Sequence, residues 1–325
     1  MSKALGLISG GLDSSLAAMA LMRQGIEVTG ISFVTPFFNA DKSERAAAAI
    51  GHPLIIENIG DVHLQMVKTP KYGYGRNMNP CIDCHAMMFR LAGERMIKDG
   101  FDFLFSGEVL GQRPMSQNAN ALKSVANLSG FPDRVLRPLS AKLLPITPME
   151  ESGLVVREQL LDLQGRSRKP QQALAKEWGL HDYPGSGGGC LLTEEGFSNQ
   201  LRDLFDHDPE ATTADVELLK VGRQFRLSAT AKLILGRHQA DNEALQQQIK
   251  PEQIKLRCQN FSGPIGLFSG NADQEELDTA AAIVASYGKG KDEVAVDVLC
   301  ITAGNEFVRR VKPLAREISR ELQIR

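Results

Sequence analysis

Seven residues near the start, Ser9-Gly10-Gly11-Leu12-Asp13-Ser14-Ser15, combine what is needed to hold an anion. Apolar residues 4–8 precede them and fit a short buried strand, while residues 16–24 have helical spacing and stop at Gly25. The expected local structure is strand, glycine turn, helix. A helix start offers unpaired backbone N–H groups and about half a positive charge. Glycines let an anion approach the main chain closely. The segment therefore reads as a phosphate cradle. It lacks the Gly-Lys-Ser/Thr ending of the commoner phosphate loop, whose lysine reaches the outer phosphates. An aspartate stands in the turn instead, and a carboxylate belongs beside phosphates when a magnesium ion lies between them.

The second group is sulfur. Pro80-Cys81-Ile82-Asp83-Cys84-His85 sets two thiols three residues apart at a predicted helix entry, where the local field favours thiolate. Cys190 follows Gly187-Gly188-Gly189, and glycines let backbone amides approach a sulfur. Three thiolates leave one position open on a 4Fe-4S cluster. A structural zinc site closes all four positions, with His85 the candidate fourth ligand. A redox pair or a persulfide carrier is equally compatible with the spacing. Cys258 and Cys300 lie in apolar strand patterns and are expected in the core.

Together these residues resemble a known family. The loop resembles the SGGxDS signature of the PP-loop, or N-type, ATP pyrophosphatases. A C-x-x-C opening a later helix and a late glycine-flanked cysteine resemble that superfamily's tRNA thiolation branch, the 2-thiouridine and 4-thiouridine synthetases. The resemblance covers roughly residues 1–195, and the three cysteines are most similar to the cluster-dependent members. It implies an ATP-dependent sulfurtransferase that adenylates a nucleoside carbonyl in RNA, tRNA in that branch, and replaces its oxygen with sulfur. It implies ATP and Mg2+ held by Ser9, Gly10, Gly11, Asp13, Ser14 and Ser15. It also implies a cluster on Cys81, Cys84 and Cys190, with Zn2+ as the alternative, or a persulfide on one of them. Asp13, Cys81 and Cys190 are thus the expected catalytic residues. The partners implied are tRNA and a sulfur donor, whether a cysteine desulfurase, a carrier protein or free sulfide. No RNA-binding module of the kind carried by 4-thiouridine synthetases precedes the loop. Two rival expectations remain: a pyrophosphatase acting on a small molecule with structural zinc, and a nucleotide-binding redox or metal sensor that is not an enzyme.

Ser106-Gly107-Glu108-Val109-Leu110-Gly111-Gln112-Arg113 follows another predicted strand and belongs at the same sheet edge. Gly107 is a candidate for close approach to the nucleotide, and Gln112 and Arg113 are candidate phosphate contacts. Adenine is expected near the end of the second strand, where Phe33 either packs on the ring or joins the core. Lone histidines such as His52, His63 and His181 are expected at the surface or in the core.

Lys220, Arg223, Arg226, Lys232 and Arg237 lie in a stretch without acids, with Phe225 among them. A basic hairpin of this kind can follow a phosphate backbone. The stretch is similar to an RNA-associated domain of ribosome quality-control factors. Arg166, Arg168 and Lys169 form a second basic cluster.

The elements that position these groups alternate. Strands are expected at 26–33, 53–59 and 102–106, and helices at 43–50 and 84–98. That order predicts an α/β fold, a doubly wound parallel sheet with ligands at its carboxyl ends. A helix-rich stretch is expected over 121–178. Beyond about 195 a smaller α+β region is expected, with strands at 219–225, 232–235, 254–268 and 293–301. Helices at 274–287 and about 303–322 complete it. At 325 residues the chain has room for both. A net charge of −2 gives no overall bias toward nucleic acid. No apolar run approaches the roughly 18 residues of a membrane helix, and no leader precedes the first strand, so a cytoplasmic protein with no membrane partner is expected.

Overall fold

The computed structural model describes residues 2–183, 185, 189–270 and 274–325. The chain divides into two compact units, one up to Thr193 and one from Glu194.

The first unit contains β1 (Lys3–Leu7), α1 (Leu12–Met22), β2 (Glu27–Val34), α2 (Asp41–Ile50), β3 (Leu54–Asn58) and α3 (Gly60–Lys68). It continues with α4 (Cys81–Asp99), β4 (Phe103–Ser106), α5 (Ala119–Ser129), β5 (Val135–Leu136), α6 (Pro148–Glu151) and α7 (Lys169–Glu177). Its five strands form a sheet in the order β3-β2-β1-β4-β5. All the pairings are parallel. Side chains alternate across the strands, so both faces are apolar. Ala4 and Phe105 pack with Leu16, Leu21 and Ala175 on one face. Leu5 and Leu104 pack with Phe89, Met96 and Val125 on the other. Helices therefore cover both faces, as the doubly wound expectation requires. The chain walks outward from β1 to β3, and α4 then carries it back to β4 beside β1. That reversal opens a crevice at the carboxyl ends of β1 and β4.

Helix α4 begins at Cys81 rather than Cys84, so both thiols lie in its first turns. The stretch 121–178 is less helical than expected. It is mostly loop around α5, α6 and α7: Gly130 ends α5, and Pro148 and Pro170 stand in the first turns of α6 and α7.

The second unit contains α8 (Glu195–His207), α9 (Thr213–Leu218), β6 (Arg223–Arg226), β7 (Lys232–Leu235), α10 (Gln239–Gln247) and β8 (Ile254–Cys258). It ends with β9 (Gly266–Ser269), α11 (Gln274–Ser286), β10 (Val296–Ile301), β11 (Glu306–Val311) and α12 (Arg316–Glu321). Its six strands run antiparallel in the order β11-β10-β8-β9-β7-β6. Helix α11 buries Leu277, Ala281 and Val284 against them. Cys258 and Cys300 are buried in this core.

Three expectations change here. The helix foreseen over 303–322 is strand β11 followed by the short α12. Thr302 and Asn305 close a turn, the Thr302 amide donating to the Asn305 carbonyl at 2.9 Å, and β11 then pairs with β10. The strand foreseen over 254–268 is two strands, β8 and β9. The strand foreseen from 219 starts at Arg223, after a turn in which Gly222 has φ +69°.

Candidate functional site

Strand β1 delivers the chain to the crevice, and Gly10 turns it with φ +71°. A Cβ there would stand 2.2 Å from the Lys42 carbonyl carbon at the start of α2, so glycine is required on two counts. Gly11 is the N-cap of α1, and no side chain caps this end. Its first amides are thus left for an anion. Ser14 Oγ donates to the Gly11 carbonyl at 2.9 Å and lies 3.4 Å from Ser9 Oγ. Ser14 and Ser15 are buried, and Ser9 is exposed at the mouth.

Asp13 is clamped on one side only. Its Oδ2 accepts from Gln112 Nε2 at 2.7 Å and from Arg168 Nη2 at 3.1 Å. Gln171 Nε2 holds Gln112 in turn, donating to its Oε1 at 2.8 Å. Among the described residues Asp13 Oδ1 is buried without a hydrogen-bond partner, and so is Arg168 Nε. Gln112 thus steadies the aspartate in this arrangement, and Arg113 is exposed. Arg168 belongs to this cradle and not to a basic surface patch. An orphaned carboxylate oxygen beside uncapped amides fits a magnesium ion held between Asp13 and phosphate.

Gly107 faces the same loop. A Cβ on it would lie 2.4 Å from the Ser14 amide nitrogen and 2.5 Å from the Asp13 carbonyl carbon. The next residue, Glu108, is buried and joins the loop to α4. Its Oε1 lies 3.0 Å from His85 Nδ1, and its Oε2 accepts from Arg137 Nε at 2.8 Å. Burial pushes the Glu108 carboxyl up, but Arg137 and the His85 hydrogen bond outweigh it and hold the group at about 2. His85 is therefore engaged away from the thiols and is not their fourth ligand in this arrangement. Phe33 is buried with Leu5, Ile31 and Phe89 in the core, the simpler of its two expected places.

The three thiols are near enough to affect one another. Burial pushes the Cys84 thiol well above its usual range, and Cys190, Cys81 and Asp83 push it the same way. Cys81 Sγ accepts from Asn79 Nδ2 at 3.3 Å. Cys84 Sγ lies 3.2 Å from Nε2 of His63. His63 is fully buried between Phe37 and Phe38, each with its ring centroid 5.4 Å away, and burial lowers its pKa to about 4. Its neutral ring was legible only as an isolated histidine in α3. Cys190 is carried by a short segment joined to the main chain at Phe37, the Leu191 amide donating to the Phe37 carbonyl at 3.0 Å. Gly187 and Gly188 of the expected glycine run lie outside the described residues. Among the described residues no group of three or more His, Cys, Asp or Glu side chains stands where it could hold a metal ion. The expected ligand set of Cys81, Cys84 and Cys190 is not drawn together as such a group in this arrangement.

The hairpin of the second unit is less basic than its sequence. Arg226 donates to both oxygens of Asp203 at 2.9 and 2.7 Å, and Lys232 lies 3.7 Å from the same carboxylate. Burial brings the Lys232 pKa down to about 8 despite that partner. Arg237 pairs with Asp241, and Lys220 with Glu217. The acids come from α8, α10 and α9, outside the acid-free stretch. Arg223 and Arg316 instead lie 5.0 and 5.5 Å from the Tyr287 ring centroid.

Set beside known proteins, the two units match two family models. Residues 1–142 match the thiamine biosynthesis protein (ThiI) family, and residues 222–321 match the NFACT protein RNA binding domain. The first match bears out the resemblance to the tRNA thiolation branch over residues 1–142. Among individual relatives, the chain is 29% identical over 144 residues to the probable tRNA sulfurtransferase of Staphylococcus aureus strain MRSA252, over 42% of this chain and 34% of that protein. The protein of strain Newman matches with the same identity and coverage. The chain thus spans about a third of the length of the curated relatives it matches. Among solved structures it is similar to a 4-thiouridine synthetase–RNA complex with bound ATP. That likeness has 22% identity, 55% of this chain, 41% of that one and a TM-score of 0.38. It is also similar to the C-terminal part of the fibronectin/fibrinogen-binding protein of Streptococcus suis, at 14% identity, 48% of this chain, 72% of that one and a TM-score of 0.29. Among the described residues no helix is long and apolar enough to cross a membrane.

Proposed function

We propose that this chain is an AMP-forming sulfurtransferase acting on RNA, with tRNA as its substrate class. The single observation that carries the proposal is the cradle at α1, with its uncapped amides, its half-satisfied Asp13 and the bare face of Gly107 against them. The similarity of residues 1–142 to the ThiI family and of 222–321 to an RNA binding domain supports the choice of substrate.

The uncapped amides and Ser9, Ser14 and Ser15 take the ATP phosphates. Asp13 Oδ1 would hold Mg2+, which when bound neutralises the phosphate charge. The nucleoside carbonyl oxygen attacks the α-phosphorus, the α–β bridge breaks, and pyrophosphate leaves. The oxygen is now bonded to AMP, a far better leaving group than oxide. A persulfide sulfur on Cys190 or Cys81 attacks the ring carbon, and the carbon–oxygen bond breaks to release AMP. A second thiol then attacks the cysteine sulfur of the mixed disulfide. The thiolated nucleoside departs and a protein disulfide remains, which an external thiol reduces. No step runs through a cluster.

Pyrophosphate release and thionucleoside formation, followed separately with candidate tRNAs, test the proposal. Asp13→Asn is expected to abolish both. Cys190→Ala is expected to abolish thiolation and keep much of the adenylation. Full thiolation by the Cys190 variant would overturn the sulfur assignment. About four irons in protein purified without oxygen would replace the persulfide with a cluster.

A further inference from the structure

Arg168 and Asp13 form an ion pair inside the cradle that a nucleotide must enter. Among the described residues the guanidinium touches Asp13 Oδ2 through Nη2 alone, while its Nε is buried without a partner. The carboxylate in turn has an orphaned Oδ1. Arg–carboxylate pairs frequently close as a two-pronged contact, which here would satisfy both leftover atoms. Each partner here keeps one unsatisfied atom, and Gln112 already secures Asp13 from another side.

The position of Arg168 suits a change of partner. It is the N-cap of α7. The segment before it is pinned to the turn after β4, the Gly165 amide donating to the Leu110 carbonyl at 2.8 Å. Helix α7 packs on the helix of the phosphate loop through Ala175 in the shared core. The backbone at 168 is thus anchored on both sides, and only the long side chain needs to move. A guanidinium presents several donors in a planar fork that matches phosphate oxygens as well as carboxylate.

We propose that Arg168 is the resident cation of Asp13 in the nucleotide-free protein and passes to the phosphates of ATP when magnesium takes the carboxylate. The inference rests on the ATP reading of the cradle and deepens it. Arg168 becomes a positioning residue with two partners in sequence. In the empty site it keeps Asp13 oriented and lowers the affinity for a bare divalent ion. In the filled site its charge stabilises phosphate. The protein would then admit magnesium with the nucleotide rather than ahead of it.

Mn2+ is the probe, its binding followed by electron paramagnetic resonance with and without ATP on the full-length chain. Arg168→Gln is expected to tighten Mn2+ binding without nucleotide by roughly tenfold and to weaken ATP binding by a similar factor. A change that only loosened the fold would weaken both, so the opposite signs identify the exchange. Unchanged or weaker Mn2+ binding overturns the inference, as does ATP binding at wild-type strength. Arg168→Lys, which keeps the charge, is expected to shift both affinities in the same directions by less, and guards against a poorly folded glutamine variant. If ATP fails to strengthen Mn2+ binding in the unmodified protein, the ATP reading itself is wrong. If it does strengthen it and the variants do not respond as stated, only the exchange is wrong.

Discussion

Gly107 stands so close to Ser14 that a Cβ added to it would lie 2.4 Å from the Ser14 amide nitrogen. Two loops from adjacent strands touch there main chain to main chain, and neither side can yield by turning a side chain. Gly107→Ala is expected to push the turn off the phosphate loop. Isothermal titration should show ATP binding at least tenfold weaker, and chemical denaturation a loss of about 2 kcal/mol. Wild-type ATP affinity in this variant would mean that the two loops do not act together.

Glu108 links that turn to the helix of the thiols. Its folded carboxyl titrates at about 2 against an ordinary 4.5, so as pH falls protons bind the unfolded chain first. The stabilisation is complete above the ordinary value and shrinks as pH falls toward 2. Glu108→Gln leaves Arg137 buried without its charge partner and is expected to cost about 3 kcal/mol at neutral pH. Denaturation series for both proteins should converge between about pH 5 and about pH 2. A gap that stays constant with pH would show that the ion pair is not its source.

The thiols should differ in reactivity. Cys84 is held protonated at neutral pH by burial and by its neighbours, and the thiolate is the reactive form. Alkylation followed by peptide mass spectrometry is expected to modify Cys84 last of the three, with its rate still rising above the usual thiol range. His63→Ala opens the space beside it and should speed that alkylation. Early labelling of Cys84 in the unmodified chain would contradict the burial argument.

In the second unit, most of the hairpin's positive charge is committed within the fold. Arg226 is committed to Asp203, and Arg226→Ala is expected to cost about 2 kcal/mol of that unit's stability. Arg223 and Arg316 lie at the Tyr287 ring, where a guanidinium or an aromatic face can meet a base. The double variant Arg223→Ala, Arg316→Ala is expected to weaken tRNA binding about tenfold and to flatten its dependence on salt. Filter binding at several salt concentrations decides this, and an unchanged slope would move the interface elsewhere.

The phosphate cradle was legible because everything that makes it is local. Strand, glycines, aspartate and helix follow one another between Lys3 and Met22, and each leaves its own mark on the sequence. What holds the cradle was not legible. Gln112 and Arg168 reach Asp13 from segments distant in the chain, with Gln171 of α7 behind Gln112, and no spacing rule joins them. The same limit hid His63, which reads as an isolated histidine until α3 brings it to Cys84. It hid Asp203 and Asp241, which neutralise a hairpin that looks purely basic by itself. The misplaced terminal helix has a different cause. Alternating burial in β11 is set by its pairing with β10, and the apolar residues after it also allow a helical period.

The reversal of the chain at α4 has a consequence in time. Strands β1 to β3 come first in the sequence, yet the crevice has only one wall until β4 settles beside β1. A chain extended no further than α4 presents β1 with a bare edge and a phosphate loop facing nothing. The nucleotide site is therefore a late product of folding, completed by contacts between segments far apart along the chain. ATP should accordingly stabilise the finished unit and do nothing for a fragment that stops before Phe103.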